Sequence, residues 1–389
     1  MGRRGPARAL AIGFVASVVL ALTAGASLLP AGGAPRNPKA NRFGPSGVVS
    51  VDPLASREQA ARARAQAATA AAGDTASVPG PSVAGGGGCR DDDGGNVRAN
   101  QDCTNQSDAP FIGRGQGQNE TAVAVNPRNP RNVLIGQSDY RRGDSACGAN
   151  WSLDGGRHFG SELLPISFTA PGLTGQRHYW DASGDTSVAF DSSGEAYLFC
   201  LAFNRPAPTS DVNGTASGLF LFRSADGGAS WNFPASLVKQ SPGDGSDGIG
   251  LLDKPYMAVD AGKSSRFRDR IYVAWAQYNV DFTAAPIGFA WSDDHGRTWN
   301  LPGTISGTSP ALCPVTFSGA PAGTCDANQF PQPFTAPNGD LYVVFQNFNN
   351  AVGAGGDNHN QMLIVKSTDG GQSSARRSRS ATSTTCPTA

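Results

Sequence analysis

The chain has 389 residues, of which 50 are glycine and 27 proline, and only 16% are charged. Helical bundles and coiled coils need many Ala, Glu, Lys and Leu and few turn formers, so this composition excludes them and favours many short strands joined by turns. Lysine plus arginine equals aspartate plus glutamate at 31 each, which leaves no global basic field to hold a nucleic acid.

Arg3, Arg4 and Arg8 surround the start of an almost wholly apolar stretch, Ala9 to Leu22, and Ala24-Gly25-Ala26 follows. This is the pattern of a secretory signal peptide, assigned to residues 1–26. No later segment is long and apolar enough to span a bilayer, so a secreted, extracellular protein is expected. Export permits disulfides. Cys313 with Cys325, Cys147 with Cys200 and Cys89 with Cys103 are the expected pairs, although sequence alone does not fix connectivity. Residues 27–110 read as a leader or linker, largely disordered: an Ala-rich stretch at 55–72 able to form a short helix, then SVPGPSVAGGGG. Asp91-Asp92-Asp93 misses the EF-hand spacing and reads as a solvated acidic turn.

From residue 111 to 374 one pattern recurs roughly every 70 residues, the mark of a repeat architecture. It is S-x-D-x-G followed three residues later by an aromatic. The copies are Ser152, Asp154, Gly156 and Phe159; Ser224, Asp226, Gly228 and Trp231; Ser292, Asp294, Gly296 and Trp299; and Ser367, Asp369 and Gly371, the last without its aromatic. The chemistry is that of a hairpin turn. The aspartate accepts hydrogen bonds from nearby backbone N–H groups, the serine adds a local bond, and glycine permits positive φ. These aspartates are therefore structural.

Each turn is preceded by three alternating apolar segments and opens a fourth. The first segments start at Glu120, Asp185, Lys254 and Gln332, read as equivalent positions. The second are VLIGQS, AYLFCLAF, IYVAWAQY and LYVVFQNF. The third are GLFLFRS, IGFAWS, QMLIVKS and, in the first repeat, only Ala149 to Ser152. Four antiparallel strands per repeat make one blade of an all-β propeller, with four blades visible.

The repeat resembles the Asp-box, or BNR repeat, of the sialidase-like β-propeller superfamily. That resemblance implies the propeller fold. It also implies carbohydrate chemistry in some members, sialidase-type glycoside hydrolysis among them, and protein binding in sortilin-like ones. Sialidases hold the substrate carboxylate with three arginines and carry an F/Y-R-I-P motif. The nearest string here, Phe111-Ile112-Gly113-Arg114, departs from it, so no arginine is carried over.

Antiparallel connection puts the S-x-D-x-G turns at one end of the blades and most long loops at the other. Function is expected on the loop-rich end, as binding of extracellular carbohydrate or another polymer. Glu120, Asp185, Lys254 and Gln332 either ring the mouth of the channel there or simply meet water at strand ends. Arg177, His178, Tyr179, Trp180 and Asp181 gather a cation, aromatics and an acid in one loop, and Tyr140, Arg141 and Arg142 form a second such group. Arginine fixes carboxylates and aromatic rings stack on sugars. Were the chain an enzyme, Asp181, Arg177, Glu120 and Asp185 are the catalytic candidates. No metal-ligand motif appears, so no cofactor is expected; the loop Gly243 to Gly248 has the only oxygen-rich pattern suited to Ca²⁺. After Gln372 the β pattern gives way to SSARRSRSATSTTCPTA, and residues 375–389 read as a frameshifted, truncated or disordered tail.

Overall fold

The structure, a computed structural model, describes residues 92–93, 96–100, 117–140, 144–166, 170–171, 177–178, 180–205, 216–350 and 361–373. The export segment, nearly all of the leader, Cys89, Cys103, Arg141, Arg142, Tyr179 and the tail lie outside these residues.

The described residues hold nineteen strands and no helix. Strands β1 (Asp92–Asp93) and β2 (Asn96–Val97) form a short ribbon. The first blade is β3 (Gln118–Val125), β4 (Val133–Asp139), β5 (Ala146–Ser152) and β6 (Gly160–Leu163). A second ribbon pairs β7 (Ala170–Pro171) with β8 (Arg177–His178). The second blade is β9 (Ala182–Phe190), β10 (Ala196–Phe203), β11 (Ser217–Ser224) and β12 (Ser236–Ser241). The third is β13 (Ile249–Val259), β14 (Ile271–Asn279), β15 (Ile287–Ser292) and β16 (Asn300–Thr304). The fourth has three described strands, β17 (Asn328–Thr335), β18 (Leu341–Asn347) and β19 (Gln361–Ser367). Strand order within every blade follows the sequence and all pairing is antiparallel. This is the β-propeller that the repeats predict. One strand is longer than expected: β5 begins at Ala146, because Cys147 and Gly148 continue the pairing with Ser138 and Gln137.

The first strands β3, β9, β13 and β17 pack against one another in succession and form the hub. The core lies between blades. Side chains alternate across a strand, and β10 uses both faces. Leu198 and Cys200 join Leu134 and Ala149 of the first blade. Tyr197, Phe199 and Leu201 join Ile271, Val273 and Trp275 of the third. Likewise Tyr272 and Ala274 of β14 meet Leu341, Val343 and Phe345. Strands buried on both faces explain why AYLFCLAF and IYVAWAQY are almost uninterrupted apolar runs. Each large side chain so buried contributes about 1.5–3 kcal/mol.

In every S-x-D-x-G turn the serine hydroxyl donates to the aspartate, at 2.8 Å (Ser152–Asp154), 2.7 Å (Ser224–Asp226), 2.7 Å (Ser292–Asp294) and 2.6 Å (Ser367–Asp369). The N–H of the motif's glycine donates back to that serine. Residues beyond the glycine donate their N–H groups to the carboxylate, as Arg297 and Thr298 do to Asp294 at 2.9 Å each. Each turn after the first also leans on the preceding blade. Asn132 Nδ2 donates to the Gly227 carbonyl at 2.9 Å, Ser236 Oγ to the Gly296 carbonyl, and Arg270 Nη1 to the Gly370 carbonyl at 2.7 Å.

Two disulfides lie among the described residues. Cys147–Cys200 joins β5 to β10 across the first blade interface, and Cys313–Cys325 closes the loop before β17. No helix among the described residues is long and apolar enough to cross a membrane.

Candidate functional site at the hub

Each hub strand carries a β-bulge near its loop-side end. At each bulge one residue takes a left-handed conformation: Glu120 (φ 53°), Asp185 (φ 52°), Lys254 (φ 47°) and Phe330 (φ 54°). Non-glycine residues rarely adopt this region, at a cost of about 1–3 kcal/mol each. The fourth equivalent position is therefore Phe330 rather than Gln332. Phe330-Pro331 matches Lys254-Pro255, whereas Gln332 pairs with Val344 past the bulge. A slip of two residues keeps a side chain on the same strand face, which is why the repeat pattern tolerates both alignments.

Lys254 joins three blades. Its Nζ lies 2.6 Å from Glu120 Oε1 and 2.8 Å from Asp185 Oδ1. The Asp185 side chain is 7% exposed and Lys254 11%, while Glu120 reaches solvent at 42%. Ser138 ties the acids together: its hydroxyl donates to Glu120 Oε2 at 3.3 Å and accepts the Asp185 N–H at 3.0 Å. Asp253 is wholly buried beside Lys254; its Oδ2 accepts from Gln329 Nε2 at 2.8 Å, and Gln329 also contacts the Tyr278 hydroxyl. Asp185 Oδ2 and Asp253 Oδ1 are buried and accept no hydrogen bond.

The electrostatics of the two acids diverge. Burial, and then the hydrogen bond with Glu120, push the Asp185 carboxyl well above the usual range. The same hydrogen bond, together with Lys254, brings Glu120 down to about 2 against its own desolvation. Asp253 is raised by burial. Burial works against the Lys254 charge, but Asp185, Asp253 and the two direct bonds outweigh it and hold the ammonium ionised. The pair thus sets two carboxyls of opposed proton affinity beside a fixed cation, an arrangement suited to hydrogen-bonding hydroxyl groups or to acid–base chemistry.

The long loops contribute a second group. Arg205 grips Asp144 with two bonds of 2.7 Å and donates its backbone N–H to Asp181 Oδ2 at 2.8 Å. Its guanidinium lies 5.3 Å from the centre of the Phe203 ring. Arg205 is the arginine that sequence reasoning missed; it follows β10 with no motif around it. Tyr140 is half-buried nearby, and the bonds from Asp144 hold the Arg205 charge. Asp181 serves this loop contact. Trp180 is not a surface binding residue as its loop context suggests. It is buried, edge-on to Phe220 at 5.9 Å, in the space that Gly218 leaves open. Arg177 and His178 form β8. In the loop from Gly243 to Gly248, Asp244 accepts the Ser246 N–H and Asp247 accepts from Ser241 and Ile249, so both acids cap turns.

No family model matches the sequence, and no curated protein does. Among solved structures, the chain is similar to a protein of unknown function from Dyadobacter fermentans (16% identity, TM-score 0.41, covering 65% of this chain and 66% of that one). It is also similar to the GH93 α-L-arabinofuranosidase of Fusarium graminearum (12%, 0.41, covering 64% and 62%). A third is the Trypanosoma rangeli sialidase (14%, 0.39, covering 66% and 37%). The matched region spans under two thirds of the arabinofuranosidase and little over a third of the sialidase.

Proposed function

We propose that this chain is a secreted Asp-box β-propeller that binds extracellular carbohydrate through its loop-rich end, with Glu120, Asp185 and Lys254 at the centre of the contact. One observation carries the reading: three successive blades bring charged side chains in a costly left-handed conformation to a single cluster, on the end opposite the S-x-D-x-G turns. Carboxyls and an ammonium together accept and donate hydrogen bonds, as sugar hydroxyls require. Phe330, 41% exposed at the equivalent hub position, adds an aromatic face for stacking. A glycan array probed with the exported protein and with Glu120→Ala tests this. Specific binding that the variant weakens at least tenfold, with its thermal melt intact, supports it. Identical array profiles for both proteins refute it.

A second reading is glycoside hydrolysis with Glu120 and Asp185 as the working pair. It is favoured by their shared hold on one ammonium nitrogen and by their opposed protonation preferences. Fluorogenic glycosides, a sialoside among them, distinguish the two. Turnover abolished by Glu120→Gln establishes the enzyme, and binding without turnover leaves the first reading standing.

A further inference from the structure

The opposite end of the propeller holds a separate convergence of side chains. Asp191 and Glu195 flank the turn between β9 and β10, and His295 sits in the S-x-D-x-G turn of the next blade, in a left-handed conformation (φ 61°). His295 Nδ1 lies 3.5 Å from Asp191 Oδ2 and 3.2 Å from Glu195 Oε2. The hydroxyl of buried Tyr197 sits beneath all three, at 2.8 Å from His295 Nδ1, 3.0 Å from Asp191 Oδ2 and 3.3 Å from Glu195 Oε2. The one-nitrogen, two-oxygen donor set is compact: the three ligand atoms lie within 4.8 Å of one another.

Hydrogen bonding alone does not satisfy this group. The phenol and the imidazole Nδ1 together bring at most two hydrogens to five close contacts. Two carboxylates meet there, and no lysine or arginine bonds to either Asp191 or Glu195 among the described residues. Meanwhile Asp191 Oδ1 is fully occupied, accepting from the backbone N–H groups of Ser193, Gly194 and Glu195, at 2.9 Å each, and from the Ser193 hydroxyl at 2.7 Å. That outer layer fixes the carboxylate and aims its other oxygen, Oδ2, at His295, as outer-shell partners do around metal ligands. The two nitrogen–oxygen separations of 3.2 and 3.5 Å bracket the edge of a tetrahedron with zinc–ligand bonds of about 2.0–2.1 Å, which is about 3.3–3.4 Å.

The geometry points to a transition-metal site of the zinc class, with His295 Nδ1, Asp191 Oδ2 and Glu195 Oε2 as ligands, bridging the second and third blades. The phenol of Tyr197 closes the inner side. His295, 39% exposed, and Glu195, 25% exposed, leave the outer side open to the ion and to a water ligand. An imidazole with only two carboxylates suits Zn²⁺ and its neighbours rather than Ca²⁺ or Mg²⁺, which demand more oxygen ligands.

The test is calorimetric titration of chelator-treated, dialysed protein with ZnCl₂, with CaCl₂ and MgCl₂ as comparators and Co²⁺ as an optical probe of tetrahedral geometry. One saturable Zn²⁺ equivalent, a raised melting temperature, a tetrahedral Co²⁺ spectrum and no response to Ca²⁺ or Mg²⁺ are expected. His295→Asn keeps a residue tolerant of positive φ and removes the nitrogen ligand; Glu195→Gln removes one oxygen ligand without touching the turn glycines. Each is expected to weaken Zn²⁺ at least about tenfold. Absence of saturable binding overturns the inference. So does wild-type affinity in whichever of the two variants folds, since the metal then sits elsewhere.

Discussion

Lys254 and Asp185 meet across 69 residues of chain, Nζ to Oδ1 at 2.8 Å, and neither side chain has more than a marginal view of solvent. A cation buried against an acid is costly to break from one side, because the partner keeps its desolvation penalty. Lys254→Met is expected to lower unfolding free energy by about 3 kcal/mol. Lys254→Met combined with Asp185→Asn is expected to recover part of that loss. Urea denaturation of the two variants decides it; a single variant as stable as wild type would mean that the bond contributes nothing.

The glycine at the end of each S-x-D-x-G turn after the first packs against the blade before it. A Cβ on Gly296 (φ +77°) would lie 2.2 Å from Leu221 Cδ2, while one on Gly156 (φ +83°) would meet only Phe159 of its own turn, at 3.9 Å. Their backbone strain is similar, so the difference isolates packing between blades. Gly156→Ala is expected to cost the strain alone, about 1–3 kcal/mol, and Gly296→Ala about 1–3 kcal/mol more for the overpacking. Equal losses in chemical denaturation would show that strain, not contact, sets the requirement.

The Cys147–Cys200 bond closes a chain segment of 53 residues. Constraint of the unfolded state by a loop of that length is worth about 3–4 kcal/mol. Cys147→Ala with Cys200→Ala is expected to lose that amount. The same substitutions at Cys313 and Cys325, 12 residues apart, are expected to lose less. Melts of the two double variants in non-reducing buffer give the comparison.

Acid acts on the turns with a definite sign. Asp294 is partly desolvated, which would raise it, but its hydrogen bonds from Thr298, Ser292 and Arg297 bring it down to about 2. A carboxyl lowered by folding stabilises above its unfolded value, about pH 4, and that contribution disappears as pH falls through about 2. The stability gap between wild type and Asp294→Asn is therefore expected to be full at pH 5 and to close on the acid side. Denaturation series from pH 5 to pH 2 follow it; a gap independent of pH would detach the turn's strength from its charge.

What was legible in the sequence follows from what alternates. β10 and β14 declare themselves because both faces are apolar, and the turns because Ser, Asp and Gly occupy fixed places. The polar starts of the first three hub strands were also visible. Phe330 was not, since a bulge built on a non-glycine residue leaves no compositional trace and the two prolines, Pro331 and Pro333, align equally well. The start of β5 was hidden because Ala146-Cys147-Gly148 has no strand-forming side chain; its pairing comes from β4 and its anchor from Cys200. Trp180 looked like a surface aromatic only because the glycine that admits it, Gly218, lies far along the chain. The Arg205–Asp144 bond spans 61 residues and the Asp191–His295 approach joins different blades, so neither has a local cue.

Because each blade grips its neighbours in order, protection from solvent proton exchange should be graded along the chain. Residues of β10 from Ala196 to Ala202, and of β14 from Ile271 to Ala276, are at most 2% exposed and have a blade on either side. In β3, by contrast, Val123 and Val125 stand more than half in water, as does Met362 in β19. Amide hydrogens of the two middle blades are expected to outlast those of the outer two by orders of magnitude, with opening that begins at the flanks and moves inward.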